Sequence, residues 1–470
     1  MDFHPRQKIA SQGQPETSKG MALAIAVMSS FLTPFTSSSV NIALPTIGTK
    51  LLMTAILLNW VASAYLLAAA TFLVPFGRIA DIYGRKKIFQ IGIVIDALAS
   101  ILCAIAPSGS WLIFFRVLQG FGGSMIFGTA VAILTSVYPP QERGRALGFS
   151  TASVYVGLSI GPLIGGLVTE YFGWPGIFYL NALLGFIISV VVFTGLKGEW
   201  AGAHGEKFDY IGSILFSVAM VILVYAFSVL PALWGLGLMI LSLVAFVGFL
   251  FWEASQKFPV IKVEFFRNNT IFAFSNLAAL INYAATAAGG FLLSLYLQYI
   301  NGFSAEHAGF ILVIQPVVMV VCSIISGNLS DKVQPRILSS LGMSLTTIGL
   351  AMLIFLKSGT SLLYFIFSLI VMGLGFGFFT SPNTNAVMSS VDRKFYGVAS
   401  STLQTMRLVG QSLSLGLVLL LFSLLIGKTQ ITPDNYPVFV KSMQIAFIIS
   451  AVLCFGGIFA SVARGNNQRS

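Results

Sequence analysis

Two oppositely charged residues lie well inside long apolar stretches of this 470-residue chain: Asp96, in the run 88–106, and Arg116, in the run 111–135. A carboxyl group at such depth can take up and release a proton, and a guanidinium can hold an anion or fix the charge state of a neighbouring carboxylate. Insertion of Arg near the centre of a membrane helix costs about 2.5–3.5 kcal/mol, so each group is expected to face a partner or a cavity rather than lipid. At about 1.5 Å per residue in a core of about 30 Å, Asp96 and Arg116 lie roughly 10 Å apart in depth, within the reach of a long side chain. Asp96 is the one residue among fifteen Asp and Glu that sits deep in an apolar run, which makes it the candidate proton carrier with Arg116 beside it. The alternatives are a structural Asp96–Arg116 pair, an Asp96 of little consequence, and an Arg116 that snorkels to the nearer face. Arg407 is a second buried cation, within Gln404-Thr405-Met406-Arg407-Leu408-Val409-Gly410-Gln411. Two buried cations against one buried anion describe a cavity not built for multivalent cations. Its candidate lining is Thr36, Asn41, Gln119, Asn282, Gln315 and Arg407, with interhelical hydrogen bonding as the competing role of each amide.

The elements that must position these groups follow from composition. With 56% hydrophobic and 9% charged residues, the chain is far from the roughly one quarter charged of a soluble domain. It reads as all-α and integral to a membrane. Fourteen apolar runs occur at about 20–43, 57–77, 88–106, 111–135, 145–168, 176–195, 210–229, 232–252, 270–298, 306–328, 336–356, 361–384, 396–426 and 440–462. Of the 26 Lys and Arg, only Lys50, Lys357, Lys428 and Lys441 fall in or beside loops on one side, and only Arg116 and Arg407 lie well inside runs. The rest share the other side with both termini, which the positive-inside rule makes cytoplasmic in a multi-pass cell-membrane protein. Residues 1–19 read as a retained tail, because the first run is too long for a signal-peptide core. The net charge of +11 is spread over short loops, so it does not point to nucleic acid. Cys103, Cys322 and Cys454 all lie in apolar runs and form no disulfide framework or metal-ligand spacing. Neither a phosphate-cradling GxxxxGK[ST] loop nor a nucleophile–base set is present, which argues against ATP-driven pumping and against an enzyme, and no cofactor is implied.

Two motifs are more specific. Gly77-Arg78-Ile79-Ala80-Asp81-Ile82-Tyr83-Gly84-Arg85-Lys86-Lys87 joins the second and third runs. Gly157, Gly161, Pro162, Gly165 and Gly166 form a stripe in the fifth, where glycines four apart admit a close helix and Pro162 removes a backbone donor. The first resembles the helix 2–3 signature loop of the major facilitator superfamily, and the second the motif of that superfamily's antiporters. Arg116-Val117-Leu118-Gln119-Gly120 is similar to its fourth-helix motif, whose Arg the resemblance associates with proton coupling. Val40–Pro45, Leu58–Leu67 and Tyr296–Ser304 also resemble the fourteen-helix drug:proton antiporters. Two positions depart from that pattern: Thr36 stands where an acidic residue is common, and Pro175 where an Arg is usual.

The spacing Gly327 to Asp331 repeats Gly77 to Asp81 after the tenth run, a degenerate second copy, as expected of repeated transporter halves. The division implied is a tail (1–19), a six-helix half (20–195), two inserted helices (210–252), a second six-helix half (270–462) and a short tail (463–470). The inserted pair, with little polarity, is expected at the periphery. By resemblance Asp81, Arg85 and their neighbours, including Lys86 and Gly84, form a clamp between halves. Asp81 is also placed to meet the positive end of the helix that starts near Tyr396. The implied function is a secondary transporter exporting an amphipathic small molecule in exchange for protons, needing the bilayer but no second subunit. An anionic or zwitterionic metabolite is the alternative cargo. A transport-dead receptor is the alternative of another class, disfavoured because the gate motifs are intact.

Overall fold

The computed structural model describes residues 17–139, 142–203, 205–256, 259–260, 263–330, 332–391 and 395–465, so Asp331 and Lys262 lie outside the described residues. Among the described residues, fourteen helices are long and apolar enough to cross a membrane: α1 Lys19–Lys50, α2 Ala55–Tyr83, α3 Arg85–Ala104, α4 Gly109–Val137, α5 Ala146–Phe172, α6 Pro175–Gly195, α7 Tyr210–Val229, α8 Leu233–Ser255, α9 Thr270–Ile300, α10 Ala305–Leu329, α11 Pro335–Ile354, α12 Leu362–Ser389, α13 Val398–Leu425 and α14 Pro433–Val462. Each of the fourteen runs read from the sequence coincides with one helix. Most helices extend past the run at one or both ends. The side chains of Ser18, Thr54, Ser108, Asp209, Asn269 and Ser304 each accept from a backbone N–H in the first turn of the helix that follows. Pro175, where the resemblance leads one to expect Arg, occupies the first turn of α6, where a missing N–H costs nothing. The last turn of α9, Tyr296–Ile300, is π-helical.

Packing repeats with an offset of eight helices. The close pairs α1/α5, α2/α4, α3/α4 and α3/α6 recur as α9/α13, α10/α12, α11/α12 and α11/α14. Two pseudo-symmetric six-helix halves and two inserted helices therefore make up the fold. The inserted pair divides: α8 presents Leu233, Leu243 and Phe251 outward, whereas α7 packs against both α2 and α13. Ser217 Oγ donates to the Thr71 carbonyl, and the Phe227 ring covers Gly416. Only α8 is peripheral; α7 sits on the seam between halves.

The hydrogen bonds that join the two halves cluster at one end. There Ala55 N–H donates to Thr429 O, Ser294 Oγ to Asn41 O, Gln298 Nε2 to Ile42 O and Tyr299 OH to Pro45 O. At the end that carries Gly77–Lys87, here the loop face, no hydrogen bond or ion pair crosses between halves among the described residues. The bundle is thus fastened at the face opposite the loop.

Candidate functional site

Asp96 is 3% exposed on α3 and faces the interior of the first half. Its carboxylate accepts from Asn181 Nδ2 on α6 at 3.3 Å. The same amide nitrogen donates to Ser100 Oγ at 2.7 Å, one turn along α3, and Ser100 in turn donates to the Asp96 carbonyl. From α4, Gln119 Nε2 also donates to Ser100 at 2.8 Å, while its Oε1 accepts from Arg116 Nη1. Arg116 Nε donates to the Val61 carbonyl on α2, and its guanidinium lies 4.5 Å from the Tyr65 ring centroid. The Thr36 hydroxyl on α1 lies against both Asn181 Oδ1 and Leu32 O, one of which takes its single proton. Five of the six helices of this half thus meet in one buried network, and the donor order runs from Arg116 through Gln119 to Ser100. Ion pairs join Lys19 to Glu142, Arg78 to Glu206 and Arg85 to Asp81; Asp96 and Arg116 form none among the described residues. They communicate through the amides and Ser100. Buried polar groups in a low-dielectric interior have to be satisfied in this way, and such networks hold their members in fixed orientation.

Of the residues expected to line a cavity, Thr36 and Gln119 are therefore enclosed in this network. Asn41 lies toward the fastened face, where its carbonyl takes the Ser294 bond and its amide approaches Gly290. The Gln315 carbonyl packs against Gly373 on α12. Asn282 is fully buried, with neither side-chain polar atom hydrogen-bonded among the described residues. Arg407 stands apart from these. It is half-buried at the seam, with Nη1 donating to Gln404 Oε1 at 3.0 Å and Nη2 to Thr384 Oγ1 at 2.7 Å. Tyr283 lies 5.6 Å from its guanidinium, and Tyr155 reaches in from α5 of the other half to pack with Tyr283, Met319 and Phe376. A separate cavity of about 390 Å³ between α1, α5 and α6 is apolar apart from Ser153 and offers no charged anchor.

The α5 glycines divide between two neighbours. Gly157, Gly161 and Gly165 pack on Phe31 to Ser39 of α1, with Ser39 Oγ donating to the Gly161 carbonyl. Gly166 meets the start of α10, and Gly309 on α10 sits against the Pro162 carbonyl. This second contact belongs to the fastened face, beside the Tyr171 hydroxyl that reaches Glu306 at 3.4 Å.

At the loop face, Asp81 pairs with Arg85 at 2.7 Å. Arg85 also donates to the Ala132 carbonyl and Ser136 Oγ at the end of α4. A strap made by the segment after α6 covers the loop. Glu199 accepts from the backbone N–H of Lys86 and of Lys87, capping α3 where the helix dipole favours an anion. Arg85 N–H donates to Trp200 O, Ala203 N–H to Asp81 O, and Arg78 pairs with Glu206. Gly84 has φ +119°, and the Glu199 carboxyl lies 2.5 Å from where its Cβ would be, so both backbone and space call for glycine. Gly77 has open surroundings. Sequence reasoning missed Asn181, Ser100, Tyr155, Tyr283 and the strap. Asn181 alone carried a signal, as the one amide in the otherwise apolar run 176–195.

A helical bundle of two repeated halves, with a charged network buried in one and a seam that, among the described residues, is hydrogen-bonded at one face, has the construction of a membrane carrier. The family model of the Major Facilitator Superfamily matches residues 26–415 and 275–467, and the chain belongs to that superfamily. It is 29% identical over 447 residues to the riboflavin transporter RibZ of Clostridioides difficile (strain 630), covering 94% of this chain and 97% of that protein. It is 28% identical over 360 residues to multidrug resistance protein 3 of Bacillus subtilis (strain 168), covering 75% and 70%. Its fold matches a bacterial homologue of the human lysosomal transporter Spinster with a TM-score of 0.68 at 16% identity, over 95% of this chain and 97% of that one. The protein is a secondary transporter of the major facilitator fold.

Proposed function

We propose that this transporter exports amphipathic organic solutes from the cell in exchange for protons, by alternating access in the cell membrane, with both termini cytoplasmic. The observation that supports this reading best is Asp96: a carboxyl buried inside the first half, held by Asn181 and linked through Ser100 and Gln119 to Arg116. In this reading the loop face is cytoplasmic and the fastened seam is the closed outer gate. Asp81, Arg85, Lys86 and the strap hold the loop of the first half while the inner side is unfastened. The relatives named for multidrug resistance are consistent with a broad cargo. Arg407 and the relative named a riboflavin transporter favour a second reading, transport of an anionic or zwitterionic metabolite.

The test is purified protein in liposomes under an imposed pH gradient, with a panel of cationic, neutral, zwitterionic and anionic amphiphiles. Gradient-driven movement of at least one solute is expected, with dications moved worst, because no carboxylate among the described residues lies beside the Arg407 cluster. Gradient-driven transport of a dication as fast as that of its monocationic analogue would contradict the cargo reading. Absence of any gradient-driven flux would contradict antiport. Orientation has its own check. In sealed cells, an impermeant thiol reagent should label Lys428→Cys and spare Lys207→Cys; the native Cys103, Cys322 and Cys454 are buried. Labelling of position 207 from outside would reverse the assignment of faces.

A further inference from the structure

The two arginines set inside the membrane are in different states of satisfaction. Arg116 is 1% exposed and enclosed by the Val61 carbonyl, Gln119 and the Tyr65 ring within a half that also holds Asp96. Among the described residues, Arg407 makes two hydrogen bonds, to Gln404 and Thr384, with the five N–H groups of its guanidinium. Its Nε is buried and has no partner among the described residues. Among the described residues no carboxylate pairs with it. An uncompensated cation in a membrane interior is costly and is normally matched by a counter-charge.

The surroundings say what shape the counter-charge has. Arg407, Tyr283 and Tyr155 lie nine to thirteen residues from the loop-face starts of α13, α9 and α5, so all three are near mid-depth. Tyr283 and Phe376 meet edge to face at 5.2 Å. Tyr155, from the other half, packs on both with Met319. Asn383, beside Thr384 on α12, is 1% exposed with both side-chain polar atoms unpartnered among the described residues. Aromatic faces and a flexible thioether receive a flat ring, while the free Nε edge of a guanidinium can grip two oxygens of one oxyanion. Because Tyr155 comes from one half and Arg407 from the other, a ligand held between them would sense both halves.

We propose that Arg407 anchors the acidic group of the cargo, and that the cargo is an aromatic monoanion or zwitterion whose ring lies among Tyr155, Tyr283 and Phe376. The proposal rests on the transporter reading and names the charge class within it. A charge-assisted hydrogen bond contributes enough to separate an acid from its amide by roughly 10- to 100-fold in affinity.

The experiment measures equilibrium binding of 9-anthracenecarboxylate and of 9-anthracenecarboxamide to the full chain in lipid nanodiscs, by the fluorescence of the ring. The wild-type protein is expected to bind the acid at least about tenfold more tightly than the amide. Arg407→Gln should remove that ratio and leave amide affinity unchanged, and Arg407→Lys should keep part of it. Equal affinity of the wild type for acid and amide would overturn the proposal. So would an Arg407→Gln protein that loses both ligands equally, the mark of a structural role. If Arg407→Gln does not fold, the wild-type ratio and its retention in Arg407→Lys decide. A separate arm with liposomes distinguishes this site from the transporter reading. Acid-selective binding without movement of any solute would leave the site and remove the transporter reading; movement of the panel without acid preference would do the reverse.

Discussion

Asp96→Asn is expected to bring pH-gradient-driven transport to background while leaving cargo binding and cargo–cargo exchange intact. Asn has the size of Asp and keeps an oxygen to accept from Asn181, so the buried network can persist, but it has no proton to release. The side chain is closed off from water by α1, α4 and α6, so a change there is read by Asn181, Ser100 and Gln119 rather than by solvent. Flux into liposomes with a gradient, and counterflow without one, are measured on the same protein. Full gradient-driven flux by Asp96→Asn would move the coupling site elsewhere, and Asp81 would be the next carboxylate to replace.

The second large effect is expected at the fastened seam. A Cβ at Gly166 would lie 2.5 Å from the Ala305 carbonyl oxygen, and one at Gly309 would press on the Pro162 carbonyl. Both clashes are with backbone of the other half and exist only while that face is closed. Overpacking costs about 1–3 kcal/mol, so Gly309→Leu or Gly166→Leu should shift the balance away from the closed outer gate by roughly 5- to 150-fold. Cross-linking of a Tyr171→Cys, Glu306→Cys pair reads that closure, since the two native side chains meet across the seam. Its yield should fall with either leucine, and transport with it. Gly456→Leu, with nothing within 4 Å of its Cβ, is the control. An unchanged yield would mean that this contact does not hold the gate. Gly161→Leu tests something different, the packing of α1 on α5 within one half, and should lower stability as well as flux.

How much of this could be read in advance varies by physical scale. Fourteen spans were legible because twenty-residue apolar runs leave the chain few other options, and the caps and loop charges bracket them. The repeat was legible from one motif pair, although the packing shows it far more fully than the degenerate Gly327 copy does. Asp96 was singled out because a lone carboxylate in an apolar run is expensive. Its partners were not, since Asn181 is 85 residues away and Ser100 is chemically ordinary; only tertiary packing brings them together. Thr36 illustrates the limit: its sequence position suggested a cavity wall, and the fold turns it toward Asn181. Tyr155 and Tyr283 were lost among fourteen tyrosines, most of which could as well have been membrane-interface anchors.

The strap carries a consequence for modularity. The two inserted helices invite excision as a cassette, giving a twelve-helix chain by joining the end of α6 to the approach to α9. Yet the segment that leads into the cassette supplies the acceptor for the first N–H groups of α3 through Glu199, the partner of Arg78 through Glu206, and backbone bonds to Asp81 and Arg85. A cut at Gly195 would remove the cap of a helix that belongs to the first half, and a cut after Glu206 would spare it. The boundary of the removable unit therefore falls inside the linker, past the last residue that the first half has recruited.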